Sequence, residues 1–349
     1  MKTGTILQVL RDPGRKPLPS IMKDIVSYCI SNKENPSLYV RNMLYRTDAG
    51  DPRMYIGRGD ARKVHLYQRD PAIGQFFANK VLFYHHLSRA HIRLPRFLGY
   101  NVGKQFFLNE GNRFIGTASE FKRLLEELLL ESPQVFVKPA LGAGGGNVIQ
   151  ISHDDLEKSE FATIHNRIIS TSYIFQERVA QHPEIAAFYS GSVNSLRVMT
   201  CMHGSDVEVL SAVMRFGANS SYIDNVSSGG LFAALDLATG KLVLPARKYF
   251  KSGGGLYTSH PDTGRTFADF TVPFFRDVLD IAIECCRHLP YKLVGWDIAV
   301  SENGPVIIEG NDWPNFDLVQ MAYGGYKSHP TFGPFVEDIL TPRSPAPLP

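Results

Sequence analysis

Apolar residues recur along this chain at different spacings, and each spacing predicts a different element. Between residues 118 and 131 the sequence ASEFKRLLEELLLE sets them three and four apart, the period of one helix face, and Ser132-Pro133 ends the pattern. The same period covers residues 75–91, QFFANKVLFYHHLSRAH, and roughly 272–288. Short apolar runs bounded by turn residues predict strands at IRLPRFLGY, QVFVKPA, NVIQIS and SYIFQERV. Strands then dominate. SLRVMTCM and VEVLSAVMRFG are joined by HGSD, LFAALDLATGKLVLP turns at Thr239-Gly240, and VGWDIAVSENGPVIIEGN reads as a hairpin. Residues 1–70 scatter Pro, Gly and charge among apolar positions and yield one helix, around PSIMKDIVSYCISN. The tail TPRSPAPLP is too proline-rich for a packed element, and no internal repeat occurs.

Composition narrows the class. With 349 residues, 44% hydrophobic and 20% charged, the chain can bury the cores of one large or two medium domains. A net charge of +3 is too small to argue for nucleic acid. The Arg-rich stretch from Arg41 to Arg69 reads as a basic face or as an ordinary solvated surface. Cys29, Cys201, Cys285 and Cys286 have no ligand spacing, which predicts a reducing compartment. No stretch approaches a membrane span and the first apolar run is too short for a signal peptide, so a cytoplasmic protein is expected.

Chemistry enters at the last hairpin. If Asn303-Gly304 forms a two-residue turn, Asp297 and Glu309 point to opposite faces. If the loop is Glu302-Asn303-Gly304, with Gly304 left-handed, Asp297 pairs with Glu309 and Asn311 shares their face. The second register gathers Trp296, Ile298, Val300, Val306 and Ile308 on one apolar side and is the one expected. Adjacent carboxylates repel unless a cation lies between them. Two carboxylates and an amide oxygen suit Mg²⁺, whereas zinc calls for His or Cys. The alternative is that these acids pair with Arg or Lys elsewhere, or face water.

A second candidate is VFVKPALGAGGGNVIQI. Lys138 ends an apolar strand, and Gly142, Gly144, Gly145 and Gly146 form a loop whose amides can approach phosphates. It is not a Walker loop, which needs Lys and Ser/Thr after the last glycine, and a flexible surface turn is the plain alternative.

Taken together, Lys138-Pro139 with the glycine loop, Gln176-Glu177-Arg178-Val179, and Asp297 with Glu309-Gly310-Asn311 resemble the ATP-grasp superfamily. DNVSSGG, HPDTG and GWDIAVSENGPVIIEGN resemble, more narrowly, its sugar-transfer-associated family. The resemblance covers roughly residues 75–330. It implies an α+β fold of two lobes clamping ATP: residues 75–176 with the lysine and flap, 177–335 with the metal site, an unassigned segment 1–74 and a loose tail 336–349. Lys138 and the 142–146 flap match phosphate contacts, and Lys80 resembles a further nucleotide lysine. Residues 176–179 match the hinge whose backbone reads the adenine edge. Glu184 is placed like the acid that holds the ribose, or is an exposed acid at a helix start. Asp297, Glu309 and Asn311 match magnesium ligands, with two ions expected and Mn²⁺ able to substitute.

Arg197 and Arg215 interrupt apolar alternation and suit a phosphate or carboxylate, unless one of them balances Asp297 or Glu309. With Lys138 they are the candidate catalytic cations. Asn194, Asp224 and Asn225 are candidates for substrate contact or for loop-ordering hydrogen bonds. His260 is a candidate base or a plain turn residue. The resemblance implies an ATP-dependent ligase that joins a carboxylic acid to an amine through an acyl phosphate. A kinase on the same fold and a nucleotide-binding regulatory module are the alternatives.

Overall fold

The computed structural model describes residues 3–142, 148–219 and 229–341. Gly144, Gly145, Gly146, Asp224 and Asn225 therefore lie outside the described residues. Residues 1–70, expected to hold one helix, hold four: α1 (Thr3–Arg11), α2 (Leu18–Asn32), α3 (Ser37–Arg41) and α4 (Arg58–Tyr67). The helical period over 75–91 is also two helices, α5 (Pro71–Ala78) and α6 (Lys80–Arg89). Asn79 divides them because its side chain accepts the Val81 and Leu82 amides and caps α6.

Six strands make the smaller sheet: β1 (Phe97–Val102), β2 (Gln105–Leu108), β3 (Gly111–Phe114), β4 (Val135–Pro139), β5 (Ile149–Ile151) and β6 (Tyr173–Glu177). Their order is β3-β2-β1-β6-β4-β5, and every ladder is antiparallel. Helices α7 (Ala118–Glu131) and α8 (Phe161–Ile169) complete this layer, and Phe106, Phe121, Leu125, Val137 and Phe175 share its core. Thr117 and Glu120 close a capping box that starts α7 where the periodicity begins.

The larger sheet follows the short helix α9 (Pro183–Ala186). Its strands are β7 (Ser195–His203), β8 (Asp206–Phe216), β9 (Leu231–Leu235), β10 (Leu242–Arg247), β11 (Leu256–Tyr257), β12 (Leu293–Ser301) and β13 (Gly304–Asn311). Helix α10 (Phe275–His288) lies between the last two hairpins, and α11 (Phe316–Tyr323) and α12 (Phe332–Leu340) end the described chain. The strand order is β11-β10-β9-β8-β7-β12-β13, again antiparallel throughout. Val336, at the expected start of a loose tail, is instead buried in α12.

Strand alternation gives this sheet two different faces. Leu196, Val198, Met214, Trp296 and Ile298 point to one side and form a single core with α10 and with Phe77, Phe83 and Leu87 of α5 and α6. Met199, Cys201, Val213 and Leu293 point to the other side, where Tyr28, Tyr39 and Val64 of the N-terminal helices and Tyr45 of the turn after α3 cover them. All four cysteines are free thiols, and Cys201, Cys285 and Cys286 are buried. No described helix is long and apolar enough to cross a membrane.

Candidate active site

The β12–β13 hairpin reaches the expected pairing by an unexpected route. Ser301 pairs with Gly304, so the loop is the two residues Glu302-Asn303, and Gly304 with φ 106° begins β13. A bulge then places Ile298 opposite Ile307 but Asp297 opposite Glu309. The extra residue flips the apolar side. Ile307, rather than Val306 or Ile308, joins Trp296 and Ile298 in the core. Gly310 allows this closure, because a Cβ there would lie 2.8 Å from both Phe77 and Trp296.

A cleft opens beside this hairpin, lined by Phe77, Lys80, Phe83, Tyr84, Leu94, Gly142, Gln176, Ile308, Glu309, Gly310 and Asn311. It brings together the expected Lys80, Gly142, Gln176, Glu309 and Asn311. Lys80 Nζ donates to the Gly142 carbonyl at 2.6 Å, and Gly142 N donates to Ala78 O, so the root of the glycine segment is tied to the α5–α6 corner. Lys138 pairs with Ile174 of β6, and its charge acts on Glu309 together with that of Lys80. The apolar lining from Phe83, Tyr84, Leu94 and Ile308 was not expected. A tyrosine on an amphipathic helix carries no signal of its own, and Tyr84 faces the cleft because its ring stacks on Phe97 at 4.8 Å.

The two acids sit in opposite electrostatic settings. Asp297 is paired across the strands with Arg197, whose Nε and Nη2 donate at 2.5 and 3.1 Å, and Arg215 Nη2 approaches it at 3.3 Å. Both arginines are themselves nearly buried, so the pair is poorly screened. Burial raises the Asp297 carboxyl, yet the two guanidiniums outweigh it and hold the group below its ordinary range. Glu309 is pushed above its ordinary range by burial and by the Asp297 charge, against Lys80 and Lys138. A hydrogen bond between the two carboxyls also helps to lower Asp297. Asn311 Nδ2 donates to Gly295 O at 3.2 Å, which leaves its amide oxygen as the available acceptor. Burial also lowers the Lys80 ammonium, with Glu309 opposing the shift.

Other candidates sit elsewhere. The Glu177 and Arg178 amides donate to Arg96 O and Gln134 O, so these two expected hinge donors are already used. The Glu177 carboxylate pairs with Arg96 at 2.9 Å, and the Arg178 guanidinium goes to Gln134 and Ser190. Val179 follows β6, outside the residues that line the cleft. Glu184 is exposed at the start of α9 and does not line the cleft either. Asn194 is fully buried and ties Gln181, Ile185, Tyr189 and Gly217 together, which is a loop-ordering role. His260 is buried, with Nε2 on the Gly217 carbonyl at 2.8 Å and Nδ1 accepting from the Asp262 amide. Burial lowers its pKa, and neither nitrogen is placed to act as a base.

Comparison with known proteins places this geometry. A family model for sugar-transfer-associated ATP-grasp proteins matches residues 64–329. No curated protein matches the chain. Among solved structures, D-alanyl-alanine synthetase A from Vibrio cholerae O1 biovar eltor str. N16961 superposes with a TM-score of 0.50 at 12% identity, over 78% of this chain and 66% of its own. VanG D-Ala:D-Ser ligase from Enterococcus faecalis gives 0.47 at 12% identity, over 78% and 63%. The ATP-grasp ligase PsnB, complexed with a minimal precursor, Mg and ADP, gives 0.41 at 14% identity, and this chain spans 61% of its length. At 12% identity the likeness to the first of these is one of fold alone.

Proposed function

The chain belongs to the sugar-transfer-associated ATP-grasp family, and on that premise we propose an ATP-dependent carboxylate–amine ligase working through an acyl phosphate. The carrying observation is the convergence of Lys80, Glu309 and Asn311 on one cleft, with the Lys138 charge acting on Glu309 and with Arg197 and Arg215 on the neighbouring Asp297. Three oxygen donors, two of them abutting carboxyls, fit a hard divalent cation, and Asp297, Glu309 and Asn311 are the residues that would hold it. A bound Mg²⁺, one ion or two, supplies neutralisation of the ATP phosphates.

The residues of the chain supply the rest. Lys80 and Lys138 are the cations that hold the phosphates, and Lys80 also fixes Gly142 through its carbonyl. The apolar walls from Phe83, Tyr84, Leu94 and Ile308 suit a flat base. Arg215, with Lys138, neutralises charge that develops as a substrate carboxylate oxygen attacks the γ-phosphorus and ADP leaves. Arg197 keeps Asp297 ionised. An amine then attacks the acyl carbon, phosphate departs, and the nitrogen loses its proton to form the amide. The family's association with sugar transfer favours a role in polysaccharide or secondary-metabolite synthesis. A kinase would need a base at the acceptor hydroxyl; His260, bound to backbone through both nitrogens, does not support that reading, and the other candidate base, Asp224, lies outside the described residues.

The test is ATP turnover with Mg²⁺ against pooled carboxylic acids, with and without amines, assaying ADP, AMP and phosphate separately. ADP plus phosphate only when acid and amine are both present is the expected result. AMP, or ADP with a stable phosphorylated product, would contradict it.

A further inference from the structure

Twenty large apolar side chains are exposed among the described residues, and seven of them fall within the first thirty positions. On α2 they form a ladder, Leu18, Met22, Val26 and Ile30, spaced four apart, with Met22 61% and Ile30 71% exposed. The ladder is about 18 Å long at 1.5 Å per residue. Helix α1 adds Ile6, Leu7 and Leu10. Neither stripe is needed to hold the helices down, because Val9, Ile21 and Tyr28 already dock them on the larger sheet.

Charge in the same segment is sorted by side. Every acid among residues 3–34 turns inward: Asp12 to Arg46 and Tyr45, Asp24 to Lys16, and Glu34 to the Tyr28 hydroxyl and the Arg58 amide. Arg11, Lys23 and Lys33 are exposed and make no ion pair among the described residues. The outer surface is thus aliphatic and cationic.

We propose that this face seats the protein on an anionic lipid bilayer, with α2 lying in the interface plane. Aliphatic residues flanked by unpaired cations are what such a helix requires. A second copy fits less well, because it would bring one face carrying Arg11, Lys23 and Lys33 against another of the same charge. A protein hot spot would favour aromatic anchors, and none of the seven exposed residues is aromatic.

The experiment is co-sedimentation of the full chain with vesicles of phosphatidylcholine alone and of equal parts phosphatidylcholine and phosphatidylglycerol. The expected result is binding to the anionic vesicles only, weakened by salt. The triple variant Met22→Gln, Val26→Gln, Ile30→Gln should weaken it at least about tenfold, and Lys23→Glu with Lys33→Glu about tenfold. Thermal melting checks that each variant folds, and the lysine pair decides if the triple does not. Absence of binding to anionic vesicles, or binding that neither variant changes, would overturn the proposal. So would a dimer in sedimentation velocity that the triple variant abolishes, since the face would then be taken by a second copy.

Discussion

The two faces of the seven-stranded sheet are made by the same strands and do different work. On one, Leu196, Val198, Met214, Trp296 and Ile298 are all apolar, and even the Trp296 indole is satisfied internally by Thr200 Oγ1 at 2.9 Å. On the other, one end is apolar and roofed by the N-terminal helices, and the opposite end carries Arg197, Arg215 and Asp297. A difference of one position along a strand separates core from chemistry. The rigid apolar face fixes the strand register, and the register alone sets Arg197 opposite Asp297 and Asp297 opposite Glu309.

That contrast can be broken from either side. The largest effect is expected on the apolar face: Trp296→Ala should destabilise the fold by about 3–5 kcal/mol, read as a shift in the denaturation midpoint. A small shift would mean that this core does not hold the register. On the charged face, Arg215→Ala should lower kcat about a hundredfold with little change in ATP affinity, and the reverse pattern would make it a binding residue. The fold should survive, because Arg197 still faces Asp297.

The roof over the second face should be acid-sensitive. His65 of α4 is stacked between Trp313 at 4.6 Å and Phe316 at 5.1 Å, and burial pushes its pKa down to about 4. Between its ordinary value and that one the unfolded chain binds a proton that the native state excludes. Stability is therefore full above the unfolded pKa and is lost as pH falls, by roughly 3 kcal/mol. Denaturant unfolding at neutral pH and near about pH 4.5 should show the loss in wild type, and His65→Phe should flatten it. The smallest effect is expected from Lys138→Ala, which should weaken ATP binding about tenfold. Unchanged affinity would remove β4 from the site.

Much of this was legible in the sequence where pattern and chemistry coincide. Helix α7 begins and ends where its periodicity and cap place it, and Lys80, Glu309 and Asn311 line one cleft, with the Lys138 charge acting on Glu309. What was not legible needed contacts between distant segments. The pairing of Arg197 with Asp297 joins residues one hundred positions apart, and the sequence offered it only as an alternative to a phosphate or carboxylate contact. The bulge that brings Asp297 to Glu309 has no local signature, since both hairpin loops are compatible with Glu302-Asn303-Gly304. His260 and Asn194 carry the same side chains as catalytic groups and differ only in having every polar atom met by backbone or by Gln181.

The central claim is that the cleft beside β13 holds ATP together with a divalent cation. Calorimetric titration of ATP into the wild type and Glu309→Gln, each with and without Mg²⁺, tests it without knowledge of the other substrates. The account predicts that Mg²⁺ strengthens ATP binding in the wild type and that this gain disappears in Glu309→Gln, with metal-free binding little changed. An equal magnesium gain in both proteins would contradict it.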